Sequence, residues 1–270
     1  EPGGGANETG QRPGGGSGGA SVGAEAVIRA WRAGEPLVAL SGAGFAPLPL
    51  PLPVASPVPL PAVGPHLKNT FTLVHGSAAY VSPHIGDLDN LETMDHFRAT
   101  LEHQRGLFRI APETVVRDLH PGYLSTRLAE ETGLGTILVQ HHHAHIAAVM
   151  AEHGVTHRVL GIAFDGTGYG DDGRVWGAEM LVADLLSYER VAQLRYAPLP
   201  GGDAAIRQPW RVAMGYLSLA PQFAEQFALA GREVPSLQRE IAATQIARAL
   251  NAPRASSMGR LFDAAAAVLG

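Results

Sequence analysis

Apolar positions along the chain recur with two periods, and the change from one to the other marks out its elements. Leu91, Met94, Phe97 and Leu101 fall three or four apart with acids early in the segment, which predicts a helix over Leu91–Gly106. Val115–Leu119, Thr136–Val139 and Val159–Phe164 are short, dense apolar runs that read as buried strands, and Gly177–Asp184 reads as a further strand. A helix over Tyr123–Thr132 separates the first two. His141–His153 continues from the second strand as a helix that Gly154 stops. Asn69–His75 and Ala78–Ser82 are β-prone runs divided by Gly76-Ser77, a hairpin pattern, and Asn251–Gly270 reads as a loop followed by an Ala-rich helix. Strands alternating with helices, together with hairpins, predict an α/β fold with mixed sheets.

The beginning of the chain breaks this pattern. Residues 1–24 hold ten glycines and almost nothing apolar, so they cannot repay the entropy of ordering. Val27, Ile28 and Trp31 give Ala24–Glu35 a short helical stripe, so residues 1–46 are expected to be a disordered Gly-rich leader with one short helix. Eight prolines occupy the nineteen residues Pro47–Pro65, mostly alternating with Leu or Val. Because proline lacks an N–H and fixes φ, residues 47–65 are expected to be an extended linker rather than a central strand.

Bulk composition narrows the function. Of the 270 residues 46% are hydrophobic and 17% charged, and the net charge is -5, so no basic footprint points to nucleic acid. No apolar run is long enough for a membrane span, which leaves the cytoplasm as the expected compartment. With zero cysteines the chain has no disulfide, no thiolate metal ligand and no thiol nucleophile of its own.

The unusual figure is 12 histidines, several of them adjacent. In Gln140-His141-His142-His143-Ala144-His145, positions i and i+4 of the expected helix lie about 6 Å apart on one face. His141 and His145 can therefore offer two imidazoles to one divalent ion, whereas His142 and His143 point elsewhere. A capping cluster, or exposed histidines without a ligand, fits the spacing equally well.

The segment Asp165-Gly166-Thr167-Gly168-Tyr169-Gly170 follows an apolar strand. Its glycines let backbone N–H groups approach an anion, Thr167 adds a donor, and Asp165 sits where a carboxylate can ligate a metal. Alone, this pattern is more often a plain tight turn. Gly259 and Asp263, in Ser256–Asp263, can bring backbone and a carboxylate to a ligand, but an ordinary capped helix explains them as well. The Leu199–Ala205 loop with Asp203, and the strings Lys68-Asn69-Thr70 and His84-Ile85-Gly86-Asp87, offer polar contacts that turn chemistry also accounts for.

Taken in order, several of these strings carry a resemblance. Leu67-Lys68-Asn69-Thr70-Phe71, Ser82–Asn90, Asp118-Leu119-His120-Pro121 with Tyr123–Thr126, Val139–His145, Phe164–Gly170, Leu199–Ala205 with Gln208-Pro209-Trp210, and Asn251–Pro253 with Ser256–Leu269 resemble the carbamoyl-transfer domain of the hydrogenase-maturation family HypF, from about Gly44 to Gly270. The resemblance implies an actin/sugar-kinase-like architecture of two α/β lobes, residues 66–158 and a partial second lobe over 159–270. It implies His141, His145 and Asp165 as metal ligands. Gly166, Thr167 and Gly168 would face phosphate, Gly259 and Asp263 would contact the nucleotide part of carbamoyl adenylate, and Lys68, Asn69, His84 and Asp203 would be substrate contacts. The implied cofactor is a divalent metal, iron or zinc, with magnesium accompanying nucleotide.

The implied reaction makes carbamoyl adenylate from carbamoyl phosphate and ATP and passes the carbamoyl group to the C-terminal cysteine of a HypE-like partner, on the way to the cyanide ligand of [NiFe]-hydrogenase. Family members carry acylphosphatase-like, zinc-finger and adenylate-forming domains upstream, and continue past Gly270 with a second Gly-Gly motif and a late Asp. The second lobe is accordingly expected to be incomplete. An O-carbamoyltransferase, a TsaD-like tRNA modifier and a non-catalytic remnant that docks a partner are the competing expectations.

Overall fold

The computed structural model describes residues 48–223, 225 and 233–269. The expected leader and the helix over Ala24–Glu35 lie outside the described residues. Two mixed sheets organise the rest, which agrees with the expected α/β class.

The first sheet has strand order β2-β1-β3-β4, from β1 (Leu50–Ala62), β2 (Thr72–Val81), β3 (Thr114–Asp118) and β4 (Gly135–Val139). β1 and β2 run antiparallel, and β1–β3 and β3–β4 run parallel. Helix α1 (Leu91–Phe108) connects β2 to β3, and α2 (Leu124–Glu131) connects β3 to β4. Asn90 caps α1 by accepting from Thr93 N. Phe97 of α1 meets Phe71 edge-on at 5.2 Å, within a core that includes Leu73, Leu88, Val115 and Leu128.

The Pro-rich segment is not a linker but strand β1, and parity explains how the sheet tolerates it. The Pro59 carbonyl accepts from Glu113 N, and Val63 N donates to Val116 O, both at 3.0 Å, so odd-numbered residues here face β3. Pro57, Pro59 and Pro61 share that parity, and β1 meets β3 at a single residue pair, Ala62 with Val116. Their missing donors therefore lie along an edge that is barely paired, while the even-numbered residues keep the donors β2 needs. The expected Gly76-Ser77 hairpin is likewise corrected. β2 runs unbroken through it, and Gly76, at φ 58°, pairs with Ser56 where the β1–β2 register shifts.

Helix α3 (His141–Glu152) begins as soon as β4 ends and packs on the second sheet. That sheet has order β5-β6-β9-β8, with β7 also pairing β6: β5 (Val159–Tyr169), β6 (Val175–Ala183), β7 (Tyr188–Gln193), β8 (Ala197–Pro198) and β9 (Arg254–Ala255). Ile146 and Met150 of α3 bury against Ala163, Trp176 and Leu181, and Gly161 leaves the space that Ile146 fills. On the far side, α4 (Asp203–Arg207), α5 (Pro209–Leu219), α6 (Ser236–Arg248) and α7 (Met258–Leu269) follow. Val212, Ala213 and Ala264 form a third core with Leu199 and Ala255.

Two strands expected to be buried are not. β4 and β5 are edge strands of the described sheets, leaving Ile137 and Leu138 on β4 and Leu160, Ile162 and Phe164 on β5 exposed. Among the described residues no helix is long and apolar enough to cross a membrane.

Candidate metal centre and adjoining cleft

The centre forms where β3, β4 and β5 end around the start of α3. Gln140 places it. Its Oε1 accepts from the backbone N–H groups of His142 and His143 at 2.7 and 2.9 Å, capping the helix directly after β4. Its Nε2 donates to Tyr169 O at 3.1 Å, which ties the same turn to the end of β5. One helical turn then sets His141 and His145 on a common face, with their Nε2 atoms 3.2 Å apart.

Asp165 completes the group. Its Oδ2 lies 3.1 Å from His141 Nε2 and 3.9 Å from His145 Nε2, and one ligand atom from each of the three residues falls within 4.8 Å of the others. Asp165 Oδ1 accepts from Gly166 N at 2.6 Å, whereas the buried Oδ2 has no hydrogen-bond partner. A buried carboxylate oxygen facing imidazole nitrogens calls for a cation, either the proton of His141 or a metal in its place. Two imidazoles and a carboxylate at this separation fit a divalent transition metal.

Sequence reading missed Asp118, at the end of β3. Its Oδ2 accepts from His141 Nδ1 at 2.7 Å, and its Oδ1 accepts from His120 N at 2.8 Å. With the proton held on Nδ1, the Nε2 lone pair of His141 is turned toward Asp165 and His145. The Asp-Leu-His-Pro string flagged this place, but no spacing rule links a strand-end Asp to a helix 23 residues later.

His142 also departs from expectation. It does not point away. It is fully buried, and its Nε2 lies 3.9 Å from Asp165 Oδ2. Gln140 Nε2 sits 3.2 Å from its Nδ1, and because that amide nitrogen donates, the ring proton is placed on Nε2. His143 does point elsewhere, to the carbonyl of Asp184 at 2.8 Å.

These contacts set the charges. Burial alone would lower His141, but the carboxylates of Asp118 and Asp165 outweigh it and raise its pKa to about 9. His142 is pushed down to about 4, first by burial and then by the charge on His141. His145 is lowered for the same two reasons. Burial pushes Asp165 up, but the His141 imidazole and the Gly166 N–H hold it below the usual carboxylate range.

The Gly-rich segment is the end of β5 rather than a free turn, with a register shift between Phe164 and Gly168 against β6. A Cβ on Gly168 would strike the His142 ring, so this glycine makes room for the histidines. Thr167 and Gly168 line a cleft of about 330 Å³ with His120, Tyr123, Arg174 and Asp203.

The other candidate positions are not in the lining of that cleft. Gly259 packs on β5, where an added Cβ would come within 2.9 Å of Gly166 Cα. Asp263 is engaged by Arg260 at 2.6 Å. Asn69 is fully buried, its amide donating to Val63 O and Pro65 O. Lys68 uses its backbone N–H on Asp87, and His84 is exposed at the same loop.

Comparison with known proteins follows the same segments. Residues 56–152 match the family model "HypF Kae1-like domain", and residues 161–270 match "Carbamoyltransferase, Kae1-like Domain, second subdomain". The chain is 45% identical to Carbamoyltransferase HypF2 of Cupriavidus necator over 77% of its own length and 26% of the relative's. It is 40% identical to Carbamoyltransferase HypF of Synechocystis over 88% of its length and 33% of the relative's. The chain thus spans a quarter to a third of these proteins. A crystal structure of full-length HypF in its phosphate- and nucleotide-bound form superposes with TM-score 0.80 and 47% identity, covering 84% of this chain and 30% of that one. HypF of T. kodakarensis gives 0.76 and 36%, covering 84% and 31%.

Proposed function

Because the chain belongs to the HypF carbamoyltransferase family, we propose that it provides the carbamoyl-transfer step of [NiFe]-hydrogenase maturation, on a metal centre held by His141, His145 and Asp165. The observation that carries this reading is the convergence of those three side chains, with the buried Asp165 Oδ2 facing both imidazoles. The two matched segments, residues 56–152 and 161–270, support two lobes, the first of which takes in strand β1 as well as residues 66–158.

The substrate in this reading is carbamoyl adenylate, a mixed anhydride formed from carbamoyl phosphate and ATP. A thiolate attacks its carbonyl carbon, the carbon–oxygen bond to the phosphate breaks, AMP leaves and a thiocarbamate forms. None of these 270 residues is cysteine, and in this reading the thiolate is that of a HypE-like partner with a C-terminal cysteine in the cytoplasm. A bound iron or zinc ion would supply Lewis-acid polarisation at the centre. Asp118 keeps the Nδ1 proton of His141 in place, which leaves Nε2 free to bind. Thr167, in the adjoining cleft, offers a hydroxyl to the phosphate, and Gly168 lines the same cleft.

The test supplies the chain, loaded with iron or zinc, with carbamoyl adenylate and the partner, and reads the partner's mass. Carbamoylation by the wild type and its loss in Asp165→Ala is the expected result. Transfer by Asp165→Ala at the wild-type rate would remove the assignment.

A further inference from the structure

His120 has no part in the metal trio, yet few side chains near it are held so firmly. Its backbone N–H donates to Asp118 Oδ1 at 2.8 Å, and its carbonyl accepts from Thr126 Oγ1 at 2.8 Å. Its ring lies flat on Tyr123, centroids 4.0 Å apart at 9°, and meets Tyr169 edge-on at 5.4 Å. Gly122 N donates to its Nδ1 at 3.0 Å, which makes Nδ1 an acceptor and places the ring proton on Nε2. Among the described residues Nε2–H has no hydrogen-bond partner, and the half-buried ring lines the 330 Å³ cleft together with Thr167 and Gly168.

A donor fixed by five backbone and stacking contacts and left unspent at a cleft wall suits an oxygen that arrives with the substrate. We propose that His120 is a substrate-contacting residue whose Nε2–H donates to the carbonyl oxygen of the carbamoyl group, and that it distinguishes a carbamoylated nucleotide from the bare nucleotide. Burial lowers its pKa, which keeps the ring the neutral, single-donor form that this contact uses. Asp118 then joins two tasks: one carboxylate oxygen orients the metal ligand His141, and the other fixes the turn that carries His120. The proposal rests on the carbamoyl-transfer reading given above.

The experiment titrates the metal-loaded chain with two probes, AMP and a carbamoyl-sulfamoyl adenosine, a stable mimic of carbamoyl adenylate. His120→Ala is expected to weaken the mimic about tenfold and to leave AMP unchanged, as for loss of one neutral hydrogen bond. His120→Gln, whose amide also donates, is expected to recover most of that loss. Metal content and the thermal transition of each variant, expected to stay at the wild-type values, check that the fold is intact. Equal weakening of both probes, or none for the mimic, overturns the role of His120 alone. A wild-type chain that binds the mimic no better than AMP overturns the carbamoyl reading, and this proposal with it.

Discussion

The histidine–aspartate centre and the start of α7 were both flagged by short strings, and the structure treats them in opposite ways. At the centre, His141, His145 and Asp165 come from two elements and converge with one ligand atom each within 4.8 Å of the others. At α7, Gly259 fills its place against Gly166 backbone, and Asp263 is taken by Arg260 three residues before it. Ser257, fully buried, donates to Gly166 O and accepts from Arg260 N, so this turn fastens the helix to β5. The difference lies in what faces each carboxylate: Asp263 Oδ2 meets a guanidinium of its own helix that keeps its charge, whereas Asp165 Oδ2 meets imidazoles whose protons a metal can replace.

The largest test of that contrast varies pH. His141 carries its proton up to about 9, and a metal must displace it. Below that pH each unit should therefore strengthen binding about tenfold, close to a hundredfold over two units, levelling above it. Isothermal titration across this range checks the slope, and a flat profile would show that His141 is not a ligand. Asp118→Ala comes next. It should weaken the metal by roughly 10- to 100-fold, as loss of an outer partner does, while the chain stays folded. Asp118→Asn should fall between the variant and the wild type.

At α7 the expected effects are smaller and confined to stability. Gly259→Ala forces a Cβ to within 2.9 Å of Gly166 Cα and should cost roughly 1 to 3 kcal/mol in denaturant unfolding, with metal affinity little changed. Asp263→Ala removes a partly exposed ion pair and should cost about 0.5 kcal/mol. A large loss of nucleotide binding in Asp263→Ala, with the fold intact, would erase the contrast by showing that its pairing with Arg260 is broken in use.

Much of this arrangement was legible in the sequence where the signal is local. The i,i+4 pair and the strand before Asp165 each depend on a few neighbours, and helix periodicity gave α1 to within two residues at its end. What escaped depended on pairing across the chain. The prolines of β1 argue against a strand until their common parity is set beside β3, which they barely meet. Gly76-Ser77 looks like a turn because a bulge and a turn both call for φ > 0. Asp118 escaped because its contact with His141 spans 23 residues, and His142 because a helical wheel places its Cβ but not the aspartate that reaches beneath it. Ile137, Ile162 and Phe164 read as buried because they are apolar, yet β4 and β5 stand at sheet edges.

The central claim is that this chain holds a metal through two imidazoles of α3. Metal analysis of the purified, iron- or zinc-loaded chain tests it directly, comparing wild type with His141→Ala plus His145→Ala. One equivalent in the wild type and none in the double variant, with both chains folded by circular dichroism, is the predicted result. An unchanged equivalent in the double variant would contradict the account.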